Sequence, residues 1–181
     1  MQAAEYRDLV GAYVEKQFAS RGLVVYSEVS LGKTIIGKNR RVDLFVLRKE
    51  DQRALALECK YQRVSGTTDE KIPYALQDLE SMWVPGCLAY AGDGWSQGVL
   101  HTLEGTRLAV YCLPELPGLA RSNATMELDH VLASVFGLWD VVIPEGRLFA
   151  ASAQLDLPLK GLRKAIPRSP PVDRAAGDDD S

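Results

Sequence analysis

Two apolar stretches carry most of the information about the fold: Arg41-Val42-Asp43-Leu44-Phe45-Val46-Leu47 and Ala54-Leu55-Ala56-Leu57-Glu58-Cys59-Lys60-Tyr61. Both have the composition of β-strands, and the polar segment 48–53 between them is short enough to close a hairpin. Strands of this kind normally exclude charged residues, because burying a charge without a partner is expensive. Asp43, Glu58 and Lys60 break that rule. We therefore expect two carboxylates and an amine to converge on neighbouring strands.

The hydrophobic pattern along the rest of the chain predicts alternating helices and strands. The expected elements are, in chain order, a helix over 3–20, one long or bent strand over 23–36, strands over 41–48 and 54–61, a helix from Pro73, a strand over 87–91, a helix over 95–104, a strand over 107–113 and a helix over 126–138. This order predicts an α/β fold in which an αβββαβ core forms one mixed central sheet flanked by helices.

Length and composition indicate a globular protein. The chain has 181 residues, 46% of them hydrophobic and 25% charged, which excludes a fibrous chain or one that is disordered throughout. We expect a single domain over 1–166, with its core over about 3–113 and a C-terminal extension over 114–166. Residues 167–181 are rich in Pro, Ala and Asp, and we expect them to form a disordered acidic tail.

The N-terminus and the cysteines bear on the cellular location. Residues 1–8 lack the basic and then apolar layout of a signal peptide, and no stretch approaches the roughly 20 apolar residues of a membrane span. Cys59, Cys87 and Cys112 form no CxxC pair and lie in apolar surroundings, which is typical of reduced, buried thiols. We expect a soluble cytoplasmic protein with no membrane partner.

The charged residues of the two strands have the chemistry of a metal site. Residues two apart on a strand project from the same face, so Glu58 and Lys60 point together. The carboxylates of Asp43 and Glu58 are hard ligands that suit Mg²⁺ or Mn²⁺, and the backbone carbonyl of Cys59 would be a further ligand. Such an ion activates water and polarises a phosphoryl oxygen, while Lys60 orients the water or stabilises the developing charge. The pattern predicts metal-dependent cleavage of a phosphodiester.

A simpler interpretation is a solvent-facing polar edge, in which Asp43 only pairs with Lys60 or Arg41. The distribution of charge suits a polyanionic substrate, but taken alone it favours a solvated hairpin with scattered basic residues. The whole chain carries a net charge of -3, yet residues 33–71 contain ten Lys and Arg against six Asp and Glu. Within that segment we expect four residues to contact the DNA backbone, although each would serve equally well as a solubilising charge: Lys33, Lys38, Arg40 and Arg41.

The element order together with these residues resembles the PD-(D/E)xK nuclease superfamily. The matching residues are Val42-Asp43 and Glu58-Cys59-Lys60, within a core covering about residues 3–91. Position 42 is Val rather than the Pro that gives the family its name. The resemblance implies a restriction-endonuclease-like fold and a Mg²⁺-dependent DNA endonuclease, with Asp43 and Glu58 as metal ligands and Lys60 as the catalytic lysine.

The segment after Lys60 is similar to the E-x-K-x-Q variant of the superfamily, which implies that Gln62 is a polar residue of the active centre. Many members also place a glutamate on the first helix, and Glu5 and Glu15 are the candidates here. We take Glu15, although both fall off the apolar stripe and Gln17 falls on it. RNA cleavage and a non-catalytic nucleic-acid-binding or assembly role remain alternatives. Cleavage of both strands of a duplex would require a homodimer.

Overall fold

The computed structural model of the protein describes residues 1–64, 69–143 and 146. The chain divides into two units, Met1–Pro144 and Glu145–Ser181, and the fold given below is that of the first. The end of the predicted C-terminal extension, from residue 147 to 166, and the predicted tail over 167–181 lie outside the described residues.

Helices and strands alternate along the first unit. The elements are α1 Ala3–Phe18, β1 Leu23–Lys33, β2 Asn39–Arg48, β3 Ala54–Tyr61, α2 Ile72–Glu80, β4 Gly86–Ala91, α3 Gln97–Glu104, β5 Ala109–Tyr111 and α4 Met126–Phe136, with short 3-10 turns at Ala19–Arg21, Asp69–Lys71 and Trp139–Val141. The predicted αβββαβ order is confirmed, and α3, β5 and α4 follow it.

The five strands form one mixed sheet in the order β1-β2-β3-β4-β5. The first three strands are antiparallel neighbours, with Val29 opposite Val42 and Leu44 opposite Leu57. A helical crossover precedes β4 and another precedes β5. Both strands run parallel to β3, as such connections require. The mixed sheet expected from the sequence is therefore confirmed.

The first strand ends earlier than its β-branched composition predicts. The register between β1 and β2 shifts between Ser30 and Lys33, where Gly32 has a φ of 63°. The chain then turns, with the amide of Gly37 donating to the carbonyl of Thr34 over 2.8 Å. The strand continues past this irregularity to Lys33, which pairs with Asn39, and the turn that follows places Ile35 and Ile36 outside the sheet.

Each face of the sheet is covered by its own hydrophobic core. One core packs under α1 and α4, and its members include Tyr6, Val10, Phe18, Leu57, Cys59, Ala89, Leu132 and Phe136. The other packs under α2 and α3, and its members include Ile72, Leu76, Leu88, Tyr90, Trp95 and Leu103. Alternate residues of β3 and β4 enter opposite cores, as the two-residue period of a strand dictates.

The strand β3 is covered on both faces for most of its length, which determines where its charged residues lie. Leu55, Leu57 and Cys59 are buried on the α1 side, and Ala56 is buried on the other face. Tyr61 is only half-buried and packs against Tyr6, with ring centroids 5.6 Å apart. The charged residues therefore fall at the carboxyl end of β3.

All three cysteines lie in the described part of the chain and are free and buried. Among the described helices, none combines the length and the apolar character needed to cross a membrane.

Candidate functional site

The site begins where β2 and β3 separate. Their pairing ends at Leu44 and Leu57, whereas β3 continues alongside β4, with Lys60 opposite Tyr90. Beyond the last β2–β3 pair, the amide of Cys59 donates to Oδ2 of Asp43 over 2.8 Å. The side chain of Asp43 thus takes the place of a backbone partner on β2, and this hydrogen bond holds the Asp43 carboxylate beside β3.

Lys60 connects the two carboxylates. Its Nζ donates to Oε2 of Glu58 over 2.9 Å and lies 3.7 Å from Oδ2 of Asp43. The three side chains keep between 20% and 31% of their surface exposed, so they form a half-buried cluster rather than a solvent-facing edge. The structure brings together the three residues that the sequence pattern singled out.

The ionisation of the cluster follows from its burial. Burial raises the pKa of Glu58, the Lys60 ammonium opposes this shift, and the neighbouring Asp43 carboxylate adds to it. Burial alone would lower the pKa of Lys60, but the charges of Glu58 and Asp43 raise that pKa above its ordinary value. Lys60 therefore holds its proton. Because burial disfavours the charged form of Glu58, further positive charge beside this carboxylate would stabilise that charged form.

The oxygen atoms present fit a hard divalent cation. The amide of Cys59 points to Asp43, and the amide and carbonyl of one strand residue point to the same side, so we expect this carbonyl to face the cluster too. The thiol of Cys59 is buried in the core, and burial raises the pKa of this thiol. We therefore do not expect the Cys59 sulfur to be a ligand. The described residues hold no group of three or more His, Cys, Asp or Glu side chains arranged for a metal. An ion here would take two carboxylates, one carbonyl and water.

Gln62 belongs to a neighbouring hydrogen-bond network. The side chain is 4% exposed, and its Nε2 donates to Oδ1 of Asp69 over 2.6 Å and to the carbonyl of Gly94 over 2.8 Å. The other oxygen of Asp69 accepts from the amide of Ser96, just before α3. Gln62 therefore joins the end of β3 to the starts of α2 and α3, and its assignment to the active centre stays a prediction.

The structure does not bring Glu15 to the cluster. Residues from the first turns of α1 line the space beside Asp43, among them Arg7. Glu15 is exposed and lies eight residues later, about 12 Å further along the helix axis. The other candidate, Glu5, accepts a hydrogen bond from the amide of Gln2 at the helix start. The structure therefore does not place Glu15 among the residues that line the space beside Asp43.

Arg40 has a different role from the one predicted. It is 8% exposed, and its guanidinium donates to both carboxylate oxygens of Asp78 on α2 over 2.8 and 2.9 Å. This pair fastens the β1–β2 hairpin to α2, so Arg40 is a structural residue and not an exposed DNA contact. Lys33 bonds the side chain of Asn39, and Lys38 lies exposed in the turn; their contacts with DNA stay predictions.

Two clefts flank the cluster. The α1-side cleft has a volume of about 340 Å³ and is lined by Ala3, Ala4, Arg7, Asp43, Cys59, Lys60, Tyr61 and Lys71. The α2-side cleft has a volume of about 360 Å³, and its polar lining includes Arg41, Glu58, Lys60, Lys71 and Tyr74. Lys60 and Lys71 line both clefts, so the two spaces meet at the cluster.

Sequence reasoning missed two residues beside the cluster. Arg7 looks like an ordinary surface charge on an amphipathic helix, and Glu28 like a solvent-facing residue of a strand. The structure places the Glu28 carboxylate between Arg7 and Arg41. Glu28 has a φ of 56°, which is an uncommon conformation for a residue other than glycine. The neighbouring sequence contains no pattern that predicts this conformation.

Comparison with known families settles the ancestry of this site. A model described as a PD-(D/E)XK nuclease superfamily domain matches residues 2–139. The chain belongs to the PD-(D/E)XK nuclease superfamily. The resemblance inferred from Asp43 and Glu58-Cys59-Lys60 is thus confirmed, as is the restriction-endonuclease-like fold class. The E-x-K-x-Q variant is not.

No curated protein matches this superfamily member. Among solved structures, it is similar to the crystal structure of AF1548, a protein of unknown function, with 14% sequence identity and a TM-score of 0.37. The alignment covers 55% of this chain and 54% of that one, so the chain spans about half the length of that relative. At this level of likeness the match carries no argument.

Proposed function

We propose that the protein is a metal-dependent phosphodiesterase that cleaves DNA internally, with Mg²⁺ or Mn²⁺ bound by Asp43 and Glu58. The observation that carries this proposal is the position of Lys60 Nζ, 2.9 Å from Glu58 and 3.7 Å from Asp43, at the point where β2 and β3 separate. A protonated amine already occupies the place where two half-buried carboxylates favour positive charge.

The residues of the chain divide the chemical work. Asp43, Glu58 and the carbonyl of Cys59 would hold the ion, which when bound polarises a phosphoryl oxygen and lowers the pKa of water. Asp43 is fixed for this task by the amide of Cys59. Lys60 keeps its proton at Nζ, because both carboxylates raise its pKa, and it would stabilise negative charge that develops on the phosphoryl group.

The half-buried setting of the cluster strengthens these interactions. Charges act on each other more strongly where water is partly excluded, and the three side chains of the cluster keep no more than 31% of their surface exposed. Lys71, Arg7 and Arg41 add cations around the carboxylates. These cations support a polyanionic substrate, although Arg7 and Arg41 already pair with Glu28 and Arg7 pairs with Asp8, and we propose DNA as that substrate.

A nucleic-acid-binding protein that has lost catalysis is the second candidate. The complete Asp43, Glu58 and Lys60 constellation argues against it, since a degenerate member would typically lack one of the three.

The buried free thiols support a reducing, cytoplasmic setting for the enzyme.

Cleavage of a supercoiled plasmid tests the function. The wild-type protein is incubated with plasmid DNA and Mg²⁺, Mn²⁺ or EDTA, beside Asp43→Asn, Glu58→Gln and Lys60→Ala. We expect nicked and linear products with either metal, none with EDTA, and loss of product in each variant. Glu50→Gln and Lys49→Ala are matched controls, because both residues are exposed in the turn between β2 and β3.

Two results would contradict the proposal. Undiminished cleavage by Asp43→Asn and Lys60→Ala would place the active centre elsewhere. Absence of cleavage together with absence of Mn²⁺ binding in calorimetric titration would favour the non-catalytic candidate. A parallel incubation with single-stranded RNA compares the two nucleic acids as substrates.

A further inference from the structure

The two clefts beside the cluster are of similar size, and at least three cationic side chains line each of them. In the α1-side cleft, Arg7, Lys60 and Lys71 face one carboxylate, that of Asp43. The α2-side cleft contains the same two lysines and Arg41 beside Glu58. Each volume lies at the small end of the range of roughly 300–1,000 Å³ that is typical of ligand sites. Neither cleft alone would enclose more than a short piece of a polynucleotide.

Glu28 links the two clefts through their arginines. Its Oε1 accepts from Nη1 of Arg7 over 3.1 Å, and its Oε2 pairs with the guanidinium of Arg41. The register of β1 on β2 places Ser27 opposite Leu44 and Val29 opposite Val42. Glu28 on β1 and Asp43 on β2 therefore lie at the same level, between these two pairs. One carboxylate thus contacts one arginine on each side of the cluster, and Arg7 also donates from Nε and Nη2 to Oδ1 of Asp8 over 2.9 and 2.8 Å.

The backbone at Glu28 supports a positioning role. A φ of 56° outside glycine persists only where the surroundings enforce it, and such strain concentrates at functional sites. Stability alone does not explain the arrangement, because ion pairs with exposed partners contribute little to folding, and Glu28 and Arg41 keep 47% and 60% of their side-chain surface exposed. What the arrangement does achieve is a fixed pair of guanidinium groups that straddle the carboxylates.

We propose that one continuous polynucleotide strand passes through both clefts, with Arg7 contacting the phosphate on one side of the bond to be cut and Arg41 contacting the phosphate on the other. This inference rests on the proposed function and deepens it. The substrate is then an internal phosphodiester of a chain that extends in both directions, and no free end is required. Tyr74, 36% exposed in the α2-side cleft, offers a ring on which a base would stack.

Binding without divalent metal tests the inference apart from catalysis. The probes are a covalently closed single-stranded DNA circle and a linear strand of the same sequence, with affinity measured by competition over a range of salt concentrations in EDTA. We expect the circle to bind as well as the linear strand. Each lost phosphate contact lowers the slope of log affinity against log salt by about 0.7 for single strands. Arg7→Ala and Arg41→Ala should each show that decrease, and the double variant about twice as much.

Arg21→Ala is the matched control, because Arg21 is an arginine with a single ion-pair partner, Asp140, at the far end of α1. Its slope should equal that of the wild type. A circle that binds tenfold more weakly than the linear strand overturns the inference, as does a slope for Arg7→Ala equal to that of Arg21→Ala. Failure to bind either probe also overturns it. Loss of cleavage with intact binding would instead count against the proposed function, so the two failures are distinguishable.

Discussion

Lys60 donates a hydrogen bond to Glu58 over 2.9 Å although both side chains are at least 74% buried. A buried ion pair is weak support for stability, because the loss of hydration of the two charges offsets their attraction. The second carboxylate nearby, Asp43, makes the cluster harder still to justify by folding alone. The proposed catalytic role therefore explains the pair better than a contribution to stability does.

This conclusion predicts a separation between stability and activity. Lys60→Met alone leaves two half-buried carboxylates without their cation and should lower the free energy of unfolding by about 2 kcal/mol, below the range for fully buried pairs. The double variant Glu58→Gln/Lys60→Met removes the charge pair and should restore stability to the wild-type value or above it, while cleavage stays absent. Urea denaturation measures the first effect and plasmid nicking the second. A double variant less stable than Lys60→Met would refute the argument.

Metal binding should depend on pH through Glu58. Burial raises the pKa of this carboxyl, so protons compete with the metal at higher pH than they would for an exposed glutamate. We expect the apparent affinity for Mn²⁺, measured by calorimetry, to fall as the pH is lowered, and the fall to begin at a higher pH than an exposed glutamate with a pKa of about 4.3 would give. Saturating Mn²⁺ should raise the melting temperature, because a ligand at 100 times its Kd adds about 2.7 kcal/mol to stability. Asp43→Asn should abolish the shift, and Glu50→Gln should retain it.

The Arg40–Asp78 pair should stabilise the fold in a pH-dependent way. The Arg40 guanidinium holds the pKa of Asp78 below its usual range. A lowered folded-state pKa gives stability that is complete above the unfolded-state pKa, about 3.9, and is lost as the pH falls through the folded-state value. Asp78→Asn should cost about 3 kcal/mol at pH 7 and much less at pH 2. Urea midpoints at both pH values measure this. An equal cost at pH 7 and pH 2 would show that the charge is not responsible.

Close backbone packing should make Gly92 irreplaceable. This residue has a φ of 98°, and a Cβ there would lie 2.2 Å from the carbonyl oxygen of Gln62. Gly92→Ala should therefore destabilise the protein by at least about 2 kcal/mol and displace the end of β3. Gly98→Ala is the control, since a Cβ there meets nothing within 4 Å, and this helical position should gain up to about 1 kcal/mol. Thermal melts of both variants decide the matter, and equal melting temperatures would contradict the packing argument.

The sequence predicts the sheet and the position of the cluster well, for a physical reason. Strand periodicity and a short polar connection suffice to place Asp43 and Glu58 on neighbouring strands, and Lys60 follows from the two-residue repeat. Nothing in that pattern reveals which end of the first helix lies beside Asp43, so Glu15 is chosen and Arg7 is missed.

Residues whose partners are distant in sequence are equally hard to assign. Arg40 looks like an exposed hairpin charge because its partner, Asp78, lies 38 residues later on another element. The resemblance to the E-x-K-x-Q variant implies a place for Gln62 in the active centre, and its contacts with Asp69 and Gly94 leave that role a prediction. Tertiary contacts of this kind have no local signature.

The rate of DNA cleavage by Lys60→Ala, relative to Lys49→Ala, tests the central claim most directly. Both variants remove one ammonium group from the same hairpin region, but only Lys60 contacts the carboxylates. At saturating Mn²⁺ and under single-turnover conditions, we expect Lys49→Ala to cut plasmid DNA at the wild-type rate and Lys60→Ala to be slower by at least about 100-fold. Equal rates for the two variants would contradict the account.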